Sequence, residues 1–179
     1  MIRKIILITT LSSIMLISDT NVTNMGKDAI ISMAKTLKST LKGAIKDGGI
    51  INGANVCKDS AVSVEKDVNS KLNNIIVRRV TTKPRNIANL PLDDELKVLN
   101  EIKKNGSKKL VTVKIDNNHY KVYKPIYMKK VCLACHGDKS KIDKEAYKVI
   151  KDNYKNDKAV GYKENEFRGA FIANIILNK

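Results

Sequence analysis

The chain has 179 residues and a formal charge of +16, from 34 Lys and Arg against 18 Asp and Glu. Such a length suits one domain. The lysines are scattered and accompany many Ile and Asn, so they read as compositional bias. That argues against a nucleic-acid binder, with an acidic protein partner as one use the charge is open to.

Met1 to Ile17 reads as a secretory signal, with Arg3 and Lys4 before a mostly apolar run from Ile5 to Ile17. It is short for a transmembrane helix. Cleavage is expected near Ser18 to Thr23, an uncleaved anchor being the alternative and the one route to a membrane. This places residues 1–23 as signal and 24–179 as one domain, exported to the periplasm.

Asn24 to Lys46 has apolar residues at helical spacing, and Asp47-Gly48-Gly49 ends it. A second amphipathic helix follows from about Gly53 to Leu72, with Cys57 on its apolar stripe. Ile75 to Thr82 reads as a strand, Lys83 to Pro91 as a loop and Leu92 to Lys104 as a short helix. Leu110 to Ile115 and Tyr120 to Tyr127 form a hairpin across the turn Asp116-Asn117-Asn118-His119. Asp143 to Asn156 is weakly helical, Gly161 to Gly169 a loop and Ala170 to Leu177 a final buried strand. Helices followed by antiparallel strands give an α+β domain.

The run Cys132-Leu133-Ala134-Cys135-His136-Gly137 carries the chemistry. C-x-x-C-H is the attachment motif of c-type haem: two thiols add to the vinyl groups and the histidine becomes an axial iron ligand. A random match is expected in roughly one such chain in two thousand. One alternative is zinc held by Cys57, Cys132, Cys135 and His136, although structural zinc sites usually split their ligands into two spaced pairs. A thioredoxin-like redox pair lacks the βαβ unit it normally sits in. A plain disulfide is the blandest reading. Every Tyr and Phe lies at or after Tyr120, around the motif, where a flat apolar cofactor needs neighbours.

The second axial ligand decides the redox character. Cys57, His119 and a methionine are the candidates. His119 falls in a turn, Met128 is close to Cys132 along the chain, and Met25 and Met33 lie on a core-facing helix stripe. Cys57 is the odd cysteine of an exported chain, either a ligand or a small buried hydrophobe.

From about Leu37 to Ile176 the sequence resembles a family of exported single-haem c-type domains with a PAS-like fold. Members occur alone in cyanobacteria and proteobacteria, and as the sensory domain of some histidine kinases. The resemblance rests on Asn55-Val56-Cys57, on Arg85-Asn86-Ile87-Ala88-Asn89-Leu90-Pro91, on the C-x-x-C-H run, and on the tail from Asp157-Lys158-Ala159-Val160-Gly161-Tyr162 to Phe167-Arg168-Gly169-Ala170. It implies a PAS-like antiparallel sheet with long N-terminal helices, one covalent haem c, and iron held by His136 and Cys57. Two departures stand out. Ile87 replaces a frequent Pro, and Asn165-Glu166 replaces Gly-Asp before the turn to Arg168.

A thiolate ligand favours ferric iron and a low potential. Arg85 and Arg168 are candidates for the haem propionates, because a guanidinium binds carboxylate through two hydrogen bonds. Asn86 and Tyr162 are candidates to orient the pocket. The expected function is electron transfer with an acidic redox partner. The alternative is a redox or gas sensor, binding CO or NO when the thiolate leaves and signalling through a separate protein. An enzyme such as a peroxidase is disfavoured, since the sequence offers no second histidine for a distal pocket.

Overall fold

The computed structural model describes residues 19–178. The signal-like residues 1–18 lie outside them. Helix α1 (Asp19–Ser70) is broken at Gly48-Gly49 into two arms. Gly49 sits at φ 69°, ψ −167°, a conformation open essentially only to glycine. Asn52 Nδ2 donates to the Ala44 carbonyl at 2.9 Å, satisfying an acceptor that the break would otherwise leave bare. A Cβ on Gly53 would meet Ile45 Cγ1 at 2.7 Å, so the second arm folds back closely on the first. The two predicted helices and their glycine turn are therefore present. The first begins at Asp19, five residues earlier than its spacing suggests, because Val22 is fully buried in the core. Thr23 also meets Thr112 through a 2.7 Å hydroxyl contact. Val22 and Thr23 thus contact the sheet layer, while Asp19, Thr20 and Asn21 are exposed.

The sheet holds four antiparallel strands in the order β1-β4-β3-β2: β1 (Ile75–Val80), β2 (Val111–Lys114), β3 (His119–Tyr127) and β4 (Phe167–Ile176). Alternation along the strands separates two cores. Ile75, Val77, Tyr120, Val122, Ala173 and Ile175 face α1, where Ile30, Met33 and Val68 close the layer. Val80, Tyr123, Ala170 and Ile172 face α2 (Asp93–Asn105) through Leu99 and Ile102. Each fully buried Val or Ile stabilises the fold by roughly 1.5–3 kcal/mol. This is the α+β, PAS-like arrangement that the sequence implies.

Strand ends differ from the sequence reading where side chains intervene. β1 stops at Val80 because the Thr81 N–H turns to the Asn89 carbonyl and its hydroxyl to the Arg168 carbonyl. β4 starts at Phe167, which pairs with Tyr127 just past a register shift that leaves Arg168 as the extra residue of β4. Gly169 lies at φ 143°, and a Cβ there would come within 2.1 Å of the Val80 carbonyl oxygen. His119 is the first residue of β3, not part of a turn.

Candidate functional site

The motif follows β3 directly. Lys130–Cys132 makes a 3₁₀ turn and α3 (Leu133–His136) one further helical turn. The three cysteines are free thiols, each half-buried. Cys132 packs with Leu133 against Met128, Ala159 and Tyr162. Cys135 faces the other way, against Ala54 on the second arm of α1 and Ala146 and Ile150 on α4 (Lys144–Asn153).

The segment after α4 clasps the motif backbone. Gly161 N–H donates to the Gly137 carbonyl at 2.7 Å, and Tyr162 N–H donates to the His136 carbonyl at 3.0 Å. His136 Nδ1 lies 2.7 Å from the Ala159 carbonyl oxygen. A carbonyl only accepts, so Nδ1 carries the proton and Nε2 keeps its lone pair. Burial first, then the Arg85 and Arg168 guanidinia, push the imidazole pKa down to about 3, which favours the neutral ligating form.

Cys57 lies on the second arm of α1, with its carbonyl accepting from Tyr154 Oη at 3.0 Å. Burial pushes its thiol up, while Arg85 and Arg79 pull it down. The same electrostatics reach Cys135, whose thiol is raised by burial and, more weakly, by Cys57 and Cys132. The upstream cysteine and the motif therefore occupy one neighbourhood. Among the described residues no three His, Cys, Asp or Glu side chains converge as ligands for a bare metal ion, as closed zinc coordination requires.

The remaining candidates divide by what they touch. Arg85 donates through Nη2 to the Cys135 carbonyl at 2.6 Å and through Nε to Asp157 at 3.2 Å, with both side chains nearly buried. Asn86 caps the 3₁₀ turn Ile87–Asn89 by accepting from Ala88 N–H. This cap holds the loop's shape with Ile87 in the proline's place. Tyr162 is buried, with Lys83 Nζ 4.2 Å and Arg168 Cζ 5.3 Å from its ring centre. Arg168 donates to the Thr81 hydroxyl at 2.7 Å and the Lys83 carbonyl at 3.0 Å, and burial lowers its pKa. These acceptors are neutral. The turn before it survives the departure from Gly-Asp: Asn165 takes φ 63°, which asparagine tolerates, and Glu166 accepts from Lys163 N–H.

His119 is tied to Asn174 through Nε2 at 2.6 Å. It stands at the far end of β3, about 26 Å along the strand from Tyr127. Met33 is fully buried in the α1 core, and Met25 is exposed. Asp157, Ala159 and Lys83 carry site contacts that the sequence reading left unassigned, and Arg79, paired with Glu65, acts on the site only through its charge. The tail Asp157 to Tyr162 marked the right segment but not its role of gripping the motif.

Two free thiols on one turn of the chain, an imidazole with an oriented free Nε2, a nearby third thiol and a buried guanidinium on neutral acceptors together fit a haem. No curated protein shows a significant match to the chain. The crystal structure of the cyanobacterial haem protein Tll0287 is similar in fold, with a TM-score of 0.66 at 20% identity, over 91% of this chain and 99% of that one. The description of the Tll0287-like family matches residues 9–175, and the chain belongs to that family.

Proposed function

We propose that the protein is an exported monohaem c-type cytochrome that transfers electrons. Cys132 and Cys135 would hold haem c covalently, and His136 and Cys57 would take the two axial positions. The observation that carries this reading is the His136 Nδ1 contact to the Ala159 carbonyl, which leaves Nε2 as the free donor inside C-x-x-C-H. The haem character of the family relative supports it.

Bound there, haem would supply a one-electron iron couple. The chain's own residues set its surroundings. Cys57 would donate as an anion and favour the ferric state. Arg168, held on neutral acceptors beside Tyr162, offers a charge for a propionate. A cleft of about 800 Å3 beside Leu133 and Gly137 is lined by Lys139, Lys141, Lys158 and Lys163 but also by Asp138, Asp157 and Glu164, so an acidic redox partner would meet only a small excess of positive charge there. Periplasmic export rests on residues 1–17, and membrane attachment on their retention; among the described residues no helix is long and apolar enough to cross a membrane.

A second reading is a redox or gas sensor acting through another protein. It is favoured by the position of Cys57 on α1, the longest element, where a change of ligation would act on a helix packed against the sheet. A haem stain on a denaturing gel tests covalent attachment, with Cys132→Ala/Cys135→Ala expected to lose it. Cys57→Ala is expected to lose the thiolate-type ferric spectrum; an unchanged low-spin spectrum removes Cys57 from the iron. Potentiometry under CO and NO separates the two functions: reversible reduction without gas binding marks a carrier.

A further inference from the structure

We infer that Arg85 is a positioning residue that weakens the hydrogen bond orienting His136, and so raises the reduction potential of the centre. The inference rests on the proposed axial role of His136. One acceptor has two donors: the Ala159 carbonyl oxygen lies 2.7 Å from His136 Nδ1 and 3.4 Å from Arg85 Nη2. The same Nη2 donates to the Cys135 carbonyl at 2.6 Å, one peptide before the histidine. Asp157 completes the bracket. Its Oδ2 accepts from Arg85 Nε at 3.2 Å, and its Oδ1 accepts from the Ala159 N–H at 2.8 Å. The Arg85 and Asp157 side chains are 10% and 7% exposed, so the contacts are shielded from water.

A metal-bound imidazole becomes a stronger donor as the acceptor at its other nitrogen strengthens. A stronger axial donor stabilises ferric iron. The guanidinium draws on the lone pairs of that same acceptor and limits its pull on the Nδ1 proton. Its positive charge, partly offset by Asp157, would also favour the less positive ferrous state. Both effects oppose the Cys57 thiolate. Only a planar guanidinium spans two carbonyls and a carboxylate from one side chain; lysine keeps the charge but not the fork.

A clasp that merely holds the motif backbone would leave the potential unmoved, so the test is potentiometry on the haem-loaded protein, with ferric spectra and haem stoichiometry recorded alongside. Arg85→Gln is expected to lower the midpoint by at least a tenfold change in the ferric-to-ferrous ratio, about 59 mV for a one-electron couple. Arg85→Lys is expected to lower it by a smaller, resolved amount, because only the shared hydrogen bond is lost. An unchanged midpoint in Arg85→Gln overturns the inference. So does a wild-type midpoint in Arg85→Lys, which leaves charge as the whole effect. Should Arg85→Gln fail to retain haem, Arg85→Lys decides alone on the same criterion. A wild-type chain without covalent haem would instead overturn the haem reading, and the inference with it.

Discussion

Two clusters of charge in the molecule are built differently. Under α2, Glu95 is buried between Arg78 and Lys121, and Lys121 also donates to Asp94 at 2.6 Å. Two cations meet two carboxylates, and Glu95 also accepts the Leu92 N–H at the helix start. Around the motif, three guanidinia act on His136, those of Arg79, Arg85 and Arg168. Arg79 pairs with Glu65 and Arg85 with Asp157, while Arg168 rests on a hydroxyl and a carbonyl. The first network is closed and serves the fold. The second carries surplus positive charge.

Breaking the closed network is expected to have the largest effect on stability. Glu95→Ala leaves Lys121 buried beside a half-exposed Asp94 and should cost about 3–5 kcal/mol, read by denaturant unfolding. The haem spectrum should not change; a spectral change would join the two clusters that the comparison separates. Asp157→Ala should cost about 3 kcal/mol, since it strands Arg85 near the motif, and here the spectrum should change as well. Arg168→Met is the sharper probe of the open cluster. It should cost about 1 kcal/mol or less in the haem-free chain and yet lower the midpoint potential of the loaded protein. A large loss in the haem-free chain would make Arg168 a structural residue like Glu95. The smallest effect is expected at Ile87→Pro. Ile87 is exposed at the start of a 3₁₀ turn, and Asn86 already has the φ −94°, ψ 127° that a residue before proline prefers. A gain of about 0.4–1 kcal/mol in unfolding experiments, with an unmoved midpoint, would mark this loop as scaffold.

Much of the fold was legible because its signals are local. The glycine pair that breaks α1, the alternation in β2 and β3 and the capped helix α2 each follow from spacing and backbone preference. The sequence reading failed at ends that distant residues set. Val22 extends α1 toward the N-terminus because a sheet waits beneath it, and Thr81 leaves β1 because Arg168 claims it. If export processing occurs, mass spectrometry of the mature N-terminus is expected to find cleavage before Val22.

In the site, Cys132, Cys135 and His136 stood out because the haem attachment expected of C-x-x-C-H demands a fixed local spacing. Cys57 stood out only as an unpaired cysteine, strengthened by family resemblance, and the structure brings it into the electrostatic neighbourhood of Cys135. Arg85 and Arg168 were named as two equivalent guanidinia for a propionate. Their positions differ: one is committed to Asp157 and the motif backbone, the other to neutral acceptors.

By itself, then, the sequence determined the C-x-x-C-H run, the order of the elements and the α+β class, all of which depend on residues within a few positions of each other. Tertiary structure alone decided which carbonyl orients His136, which arginine keeps its charge unpaired and where α1 begins. These depend on segments far apart in the chain, such as Arg85 and Ala159, that meet only when burying the two faces of the sheet brings them together. Hydrogen-bond partners at that range carry no local sequence signal.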